Sequence, residues 1–325
     1  MRPTFSIILF TVLSGAGYGL LFLLGLSLTA GTPTEIFVVR GVGGSSIALD
    51  PRFGLGVALA TGFLLTSCGL LASLTHLGQP WRAWRAFSQW RSSWLSREGI
   101  ASLVTYVPMA AIAILLFALP DAHLGLRLCG AALALGCIAT VFCTARIYAS
   151  LQTIRAWHTR YTAANYLMLG LFSGALSFTA VHVATLANGG LWVSAHAVAL
   201  VAVLLGPACA LLKRAYWRCI DALPTLSAGH ATGLDLLGEV RSFEQPHTEE
   251  NYLTHEMGFV LARKHSRRLR AIAFWLLLLA PIVVLPLTGW IGLPIALLLC
   301  MSGIFVERWL FFAEAKHAVM AYYGR

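Results

Sequence analysis

The sequence predicts an all-α integral membrane protein, a bundle of eight transmembrane helices. Three observations favour this fold class: 58% of the 325 residues are hydrophobic, only 11% are charged, and the mean hydropathy is +0.77. An ordinary soluble domain carries roughly 25% charged residues. Because the apolar residues form long unbroken runs and do not alternate with polar residues, a transmembrane β-barrel is disfavoured as well.

Each predicted helix is an apolar run of about the 20 residues that are needed to cross a bilayer. The first run resembles a signal peptide, but it is longer than the apolar core of such peptides, and we interpret it as a retained helix. The last two runs are separated only by Thr288–Trp290, which predicts a tight hairpin. The eight predicted spans are Phe5–Leu28, Phe53–Leu74, Ile100–Leu119, Leu126–Ala149, Tyr166–Leu186, Leu191–Leu212, Ala271–Leu287 and Trp290–Phe311.

We expect residues 1–325 to form a single membrane domain. Its longest polar stretch, residues 215–270, connects spans six and seven and is too short and too polar to be an independent enzyme domain. Within this connection, Asn251–Arg270 is predicted to form a helix that continues into span seven.

Basic residues are distributed very unevenly between the two sides of the predicted bundle. We name side A the side that holds both termini and the connections after spans two, four and six. Twenty of the 23 basic residues lie on side A, and only Arg40, Arg52 and Arg127 lie on the opposite side, side B. Because Lys and Arg collect on the cytoplasmic side of bacterial inner-membrane proteins, side A is predicted to be cytoplasmic.

The richest candidate site is the side A connection between spans two and three. It contains His76, four arginines, four tryptophans and Glu98, and Gly78 and Pro80 should interrupt its helix. The composition alone also fits an ordinary basic and aromatic belt at the membrane interface. A belt of this kind does not account for His76 and Glu98, because each lies at the end of an apolar span and each can exchange protons.

Three further polar groups lie in or near the spans. At the end of span four, Arg146 could contact lipid headgroups or belong to the site, and it is accompanied by Tyr148, Gln152, Arg155, Trp157, His158 and Asn165. Glu307 and Arg308 in span eight could form an ion pair or an anchor. His182 and His196 could suggest haem, but they lie near one end only, which favours ordinary helix-end histidines.

The sequence lacks the motifs of several kinds of cofactor and metal site. The seven cysteines contain no Cys-x-x-Cys pair, which argues against an iron–sulfur cluster or a zinc site in this chain, and no nucleotide-binding motif is found. Proton-exchanging groups on one face, without a redox centre, favour a protein that binds a quinone and exchanges electrons with a metal-containing partner. A proton-coupled transporter using His76, Glu98 and Arg146 is an alternative. A scaffold that binds its partner without touching quinone is another.

Two motifs resemble those of a known family. Residues 73–84, with the sequence SLTHLGQPWRAW, and residues 91–100, with RSSWLSREGI, resemble the membrane anchor subunits of dimethyl sulfoxide reductase-type molybdoenzymes. The segments at Ala145–Tyr148 and Asn251–Phe259 extend the resemblance. It implies partnership with an iron–sulfur subunit and a molybdopterin catalytic subunit, a ubiquinone or menaquinone site, no haem in the anchor, and no catalytic residue of the substrate reaction in this chain.

The resemblance also implies roles for individual residues. The functional histidine and carboxylate of the family fall on His76 and Glu98, and Arg82, Arg146 and Tyr148 are further candidates for the quinone site. Partner docking is expected on the same face. Its candidate residues are Arg85, Arg91, Arg97 and Arg155.

One subfamily fits the charge distribution better than the other. Respiratory dimethyl sulfoxide reductase anchors, which oxidise menaquinol, place the quinol loop on the periplasmic face, whereas side A is predicted here to be cytoplasmic. The segments Glu256–Phe259 and Ala262–His265 look more like the anchor of the cytoplasmic sulfite-oxidising enzyme. We therefore expect sulfite oxidation coupled to quinone reduction, with menaquinol oxidation as the alternative.

Overall fold

Long helices account for most of the described secondary structure. The computed structural model describes residues 3–31, 37–40, 46–49, 51–75, 77–119, 121–186, 192–224, 227–240, 243–244, 249, 261–284 and 292–323. The helices are α1 (Phe5–Ala30), α2 (Pro51–Leu74), α3 (Trp94–Ala118), α4 (His123–Ala149), α5 (Arg160–Leu186), α6 (Trp192–Asp221), α7 (Ala228–Thr232), α8 (Leu261–Val284) and α9 (Gly292–Ala313). Within these ranges, three short 3-10 helices cover Pro80–Gln89, Asp235–Leu237 and Ala318–Tyr323.

The predicted all-α membrane bundle is confirmed. Seven helices among the described residues, α1 to α6 and α9, are long and apolar enough to cross a membrane. Residues 271–284 of the remaining predicted span, Ala271–Leu287, form the C-terminal part of α8, whose first turns carry Arg267, Arg268 and Arg270. Of the helix predicted at Asn251–Arg270, residues 261–270 are the start of α8, whereas residues 251–260, residues 285–287 and the hairpin predicted at Thr288–Trp290 lie outside the described residues.

A small β-hairpin, which the sequence did not predict, lies between α1 and α2. Strands β1 (Phe37–Arg40) and β2 (Ser46–Leu49) pair antiparallel, with Phe37 opposite Leu49 and Arg40 opposite Ser46. Each strand has only four residues. Such short strands give almost no alternating pattern, so the hairpin was not recognisable from periodicity.

Helix α1 is the central helix and contacts α2, α4, α5 and α9. Glycines allow its backbone to approach two of these neighbours closely. A Cβ atom added to Gly19 would lie 1.9 Å from the carbonyl oxygen of Gly170 in α5, and one added to Gly25 would lie 2.6 Å from that of Gly130 in α4. Small residues at helix contacts are typical of membrane bundles, where close backbone packing replaces the hydrophobic effect.

Hydrogen bonds join several side A segments at one end of the bundle. Arg155 in the α4–α5 connection donates to the carbonyl of Pro224 after α6 (2.9 Å), and Trp157 donates through Nε1 to the carbonyl of Phe311 in α9 (2.8 Å). Tyr216 of α6 donates to the carbonyl of Ala156 (3.1 Å). The ends of α4, α6 and α9 therefore meet, as the alternating path of the chain predicts.

Candidate functional site

The connection between α2 and α3 presents its tryptophans outward. Helix α2 ends at Leu74, and the 3-10 helix Pro80–Gln89 follows the predicted break at Gly78 and Pro80. Trp81 is 90% exposed, and Trp84 and Trp90 are also exposed. Indole rings in this position suit the boundary between lipid headgroups and acyl chains.

Arg97 fixes the end of this connection against α3. Its Nε donates to the carbonyl of Trp90 (2.9 Å) and its Nη2 to that of Arg91 (2.6 Å), while its guanidinium lies 4.4 Å from the ring centre of Trp94. These contacts hold the loop in place. The docking role predicted for Arg97 stays a prediction.

Two further contacts attach the 3-10 helix to the start of α3. The Ser96 hydroxyl donates to the carbonyl of Ala86. A Cβ atom at Gly99 would lie 2.7 Å from the Phe87 ring, so the absence of a side chain at Gly99 lets Phe87 approach α3. The loop is thereby positioned on the first turns of the helix that carries Glu98.

Glu98 lies in the first turns of α3 and faces the inside of the bundle. Its residue is only 5% exposed, and the Thr144 hydroxyl of α4 donates to its Oε1 (2.6 Å). Ser102 donates to its backbone carbonyl (2.8 Å). The N-terminus of α3 also places partial positive charge near the carboxyl. A buried carboxyl group is therefore held at a defined position near the side A end of the bundle.

The two main polar clusters of the sequence meet at this place. Thr144, the partner of Glu98, lies two residues before Arg146, and the Arg146 guanidinium lies 5.2 Å from the ring centre of Trp94. Trp94 is thus contacted by both Arg97 and Arg146. The structure brings together the start of α3 and the end of α4, which the sequence could only propose separately.

The remaining residues of the predicted site divide into two sets. His76 lies outside the described residues. Arg82, Arg85 and Arg91 are exposed on the connection, where Arg85 and Arg91 lie over the rings of Trp84 and Trp90. Their roles in quinone binding and docking stay predictions.

Tyr148 belongs to an aromatic cluster one helical turn beyond Thr144. Its ring stacks on Tyr166 of α5, with centres 5.7 Å apart, and meets Trp157 edge-to-face at 5.2 Å. Phe311 and Phe312 of α9 complete the cluster. Because Thr144 and Tyr148 are four residues apart, they share one face of α4.

The histidines outside the main connection have local contacts. His158 is 2.7 Å through Nδ1 from the carbonyl of Ala149 at the end of α4, and His182 stacks on Phe178. The side chain of His196 lies outside the described residues. Within the described part of the chain, no group of three or more His, Cys, Asp or Glu residues could hold a metal ion.

A buried charge cluster, formed by Lys213, Glu307 and Arg308, lies between α6 and α9. These residues are 1%, 0% and 2% exposed. Lys213 Nζ contacts Glu307 Oε1, and Arg308 Nε lies 3.1 Å from Glu307 Oε2. The ion pair of Glu307 with Arg308 was one of the two sequence interpretations, and the structure shows it.

Lys213 was not predicted from the sequence as a functional residue, because it was counted as a topology charge. The available signal was its position about two turns inside the side A end of α6, at a depth comparable to that of Glu307 in α9. Two opposite charges at one depth inside apolar helices favour a buried pair.

An apolar groove of about 180 Å³ lies among α1, α4 and α5. It is lined by Tyr18, Phe22, Ile138, Val141 and Leu167, with other small or apolar residues. Such a lining suits an acyl or isoprenoid chain.

Comparison with known proteins agrees with the motif resemblance. The family model described as DMSO reductase anchor subunit matches residues 1–313. The chain is 34% identical to a sulfite dehydrogenase subunit of Allochromatium vinosum over 351 aligned positions, which cover 99% of each chain. No solved structure matches. The chain therefore belongs to the family of DMSO reductase anchor subunits.

Proposed function

We propose that this anchor subunit binds a quinone at the side A ends of α3 and α4 and the connection before α3, which we call the rim, and that it exchanges electrons with an iron–sulfur subunit. That subunit would in turn join a molybdopterin catalytic subunit. The observation that carries the proposal is the Glu98 carboxyl, buried against Thr144 beneath a connection rich in Trp and Arg. A quinone headgroup needs a proton-exchanging group in a shielded setting, and we assign its entry from the membrane interface to the tryptophan-bearing connection.

We assign different roles in the quinone reaction to the residues of the rim. Bound quinone accepts two electrons and two protons as it becomes quinol. Glu98 would supply or receive a proton at one quinone oxygen, and His76 is assigned the same task at the other by the family motif. Arg82, Arg146 and Tyr148 would position and polarise the headgroup. Arg85, Arg91, Arg97 and Arg155 would face the iron–sulfur subunit.

Two observations favour sulfite as the source of electrons. The full-length relative is named as a subunit of sulfite dehydrogenase. The strong bias of basic residues to side A favours a cytoplasmic site. The second candidate, menaquinol oxidation in a dimethyl sulfoxide reductase-type complex, is favoured by the description of the matching family model.

Replacing Glu98 with glutamine is expected to lower quinone-coupled turnover by roughly 100-fold or more, because the amide cannot exchange the proton. The measurement is made on the complete complex in membranes, with a quinone analogue and then with an artificial electron acceptor. Activity with the artificial acceptor should be preserved. Glu244→Gln, which changes an exposed carboxyl in the polar connection, is the matched control.

Quinone turnover that survives Glu98→Gln would place the proton chemistry elsewhere. Flux of a solute in liposomes that contain only this chain would instead support the transporter alternative. Quinone-independent binding of the partner, with no displacement by a quinone analogue, would support the scaffold.

We further propose that the protein lies in the bacterial inner membrane with both termini in the cytoplasm. A reporter that is active only in the cytoplasm should therefore be active when it is fused after Arg325. The same reporter inserted after Asp121, in the side B turn between α3 and α4, should be inactive. An alkaline phosphatase fusion that is active after Arg325 would reverse the orientation and favour the menaquinol-oxidising alternative.

A further inference from the structure

A second cavity of about 20 Å³ lies inside the bundle, next to the partner of Glu98. Thr144, Tyr166 and Arg308 line it together with hydroxyl groups of α1 and α5. A cavity of this size holds one water molecule if polar groups surround it.

Two buried donors at this cavity lie near each other, and one of them lies near Tyr148, but neither makes a hydrogen bond of good geometry to a described residue. They are the Tyr166 hydroxyl and Nη1 of Arg308, on residues that are 5% and 2% exposed. An unpaired buried donor costs about 1–3 kcal/mol, so buried polar groups that lack a protein partner commonly bind ordered water.

Hydrogen-bond acceptors among the other lining residues complete the surroundings of a water molecule. The hydroxyls of Thr11, Ser14 and Ser173 each donate to a carbonyl of their own helix, at 3.0, 2.6 and 2.9 Å. Each hydroxyl oxygen keeps lone pairs that can accept from the cavity. Donors and acceptors therefore both face this space.

The cavity connects two titratable regions. Toward α3, its lining residue Thr144 donates to Glu98. Toward α6, its lining residue Arg308 binds Glu307 through Nε, and Glu307 binds Lys213. Arg308 is always charged and cannot itself release a proton, so its guanidinium orients the groups on either side.

A larger cavity lies at the side A surface, and Glu314, which lines it, is within electrostatic reach of Lys213. This cavity, of about 480 Å³, is lined by Asp221, Arg270, Glu314, His317 and other residues at the ends of α6, α8 and α9. Arg270 donates to Glu314 (2.7 Å) and to Asp221 (2.6 Å). Burial raises the pKa of the Glu314 carboxyl, while the hydrogen bond from Arg270 and the charge of Lys213 oppose that shift.

We propose that one internal water molecule occupies the 20 Å³ cavity and that protons pass from the side A surface cavity through Lys213 and Glu307 to this water. From the water they pass through the Thr144 hydroxyl to Glu98, while Arg308 holds the water in place and carries no proton. The relay rests on the proposed quinone reaction. Each proton leaves solvent at the surface cavity and replaces the proton that Glu98 has given to a quinone oxygen. The electrons arrive separately from the iron–sulfur subunit.

The test removes one hydroxyl from the cavity and leaves the aromatic ring in place. Tyr166→Phe keeps the ring that lies 3.7 Å from the Arg308 guanidinium but removes the oxygen that faces the water. In the complete complex, quinone-coupled turnover should fall on the order of tenfold. The solvent deuterium isotope effect should rise, and turnover with an artificial acceptor should stay unchanged.

The matched control is Tyr161→Phe, the same substitution on the same helix. The Tyr161 hydroxyl accepts from Arg160 at the surface and is not among the groups that line the cavity. The Tyr161→Phe substitution should leave both the rate of quinone-coupled turnover and the solvent deuterium isotope effect unchanged. A density map of the complex should also show a water molecule within hydrogen-bond distance of Tyr166 and Arg308.

Different results would contradict the proposed relay and the proposed quinone site. If Glu98→Gln abolishes quinone turnover while Tyr166→Phe matches the wild type in rate and isotope effect, the relay is overturned and the quinone site stands. An empty or collapsed cavity in the map also overturns the relay. If Glu98→Gln leaves quinone turnover intact, the quinone site itself fails, and the relay fails with it.

Discussion

Replacing Glu307 with glutamine is expected to destabilise the folded anchor by about 3–5 kcal/mol, the usual cost of removing one partner from a buried ion pair. Lys213 and Arg308, which are 1% and 2% exposed, would then remain as two cations without the carboxylate that separates them. Glutamine keeps the size of the side chain, so the loss reports the missing charge. The measurement is the denaturant midpoint of the purified protein in mixed micelles.

Arg214→Met is the control, because Arg214 is the exposed neighbour of Lys213 on the same helix. It should change stability by less than about 0.5 kcal/mol, as is usual for a surface position. The double variant Lys213→Met with Glu307→Gln should recover part of the loss, since one of the two uncompensated cations is removed. Equal midpoints for Glu307→Gln and Arg214→Met would show that the charge cluster adds nothing to stability.

The approximate number and positions of the spans followed from the sequence because they depend mainly on hydropathy. The helix ends did not follow, since α3 begins at Trp94 and not at Ile100, and α6 continues to Asp221 beyond its predicted end. The approximate place of Glu98 and Arg146 followed as well, since both lie near helix ends on the side that is rich in basic residues. What the sequence could not give was the rotation of each helix. A span such as α4 is apolar on nearly every side, so its pattern does not say which face meets α3.

Contacts between helices therefore appeared only in the structure. Thr144 gave no signal in the sequence, because a threonine in a span commonly bonds to the carbonyl four residues earlier. Thr144 is also close to such a carbonyl, that of Thr140, at 3.0 Å, and its role emerges only because Glu98 of α3 lies opposite. Lys213 was counted as a topology charge, and its pairing was not evident because its partner Glu307 is more than ninety residues away along the chain.

The second large effect on stability is expected from a substitution at the contact of α1 with α5. Gly19→Ala is expected to destabilise the bundle by about 3 kcal/mol or more, at or above the upper end for overpacked cores. The new methyl group would lie 1.9 Å from the carbonyl oxygen of Gly170 and 2.7 Å from its carbon. Both atoms belong to backbone, so no side-chain rotation relieves the clash, and α1 must move away from α5.

Gly15→Ala makes the same chemical change one turn earlier on the same helix. Its added Cβ atom would have its nearest neighbour, the Cα of Gly170, at 3.9 Å, an ordinary van der Waals distance. Alanine is about 1 kcal/mol better than glycine inside a helix, and both variants share this gain. Gly15 also lines the 20 Å³ cavity, so its new methyl group would displace the proposed water and leave buried donors unpaired, at a cost of about 1–3 kcal/mol. Gly15→Ala should therefore lose at most about 2 kcal/mol, less than Gly19→Ala, and the remaining difference between their denaturant midpoints reports the steric contact. If Gly19→Ala is as stable as Gly15→Ala, α1 and α5 do not meet through their backbones at this point.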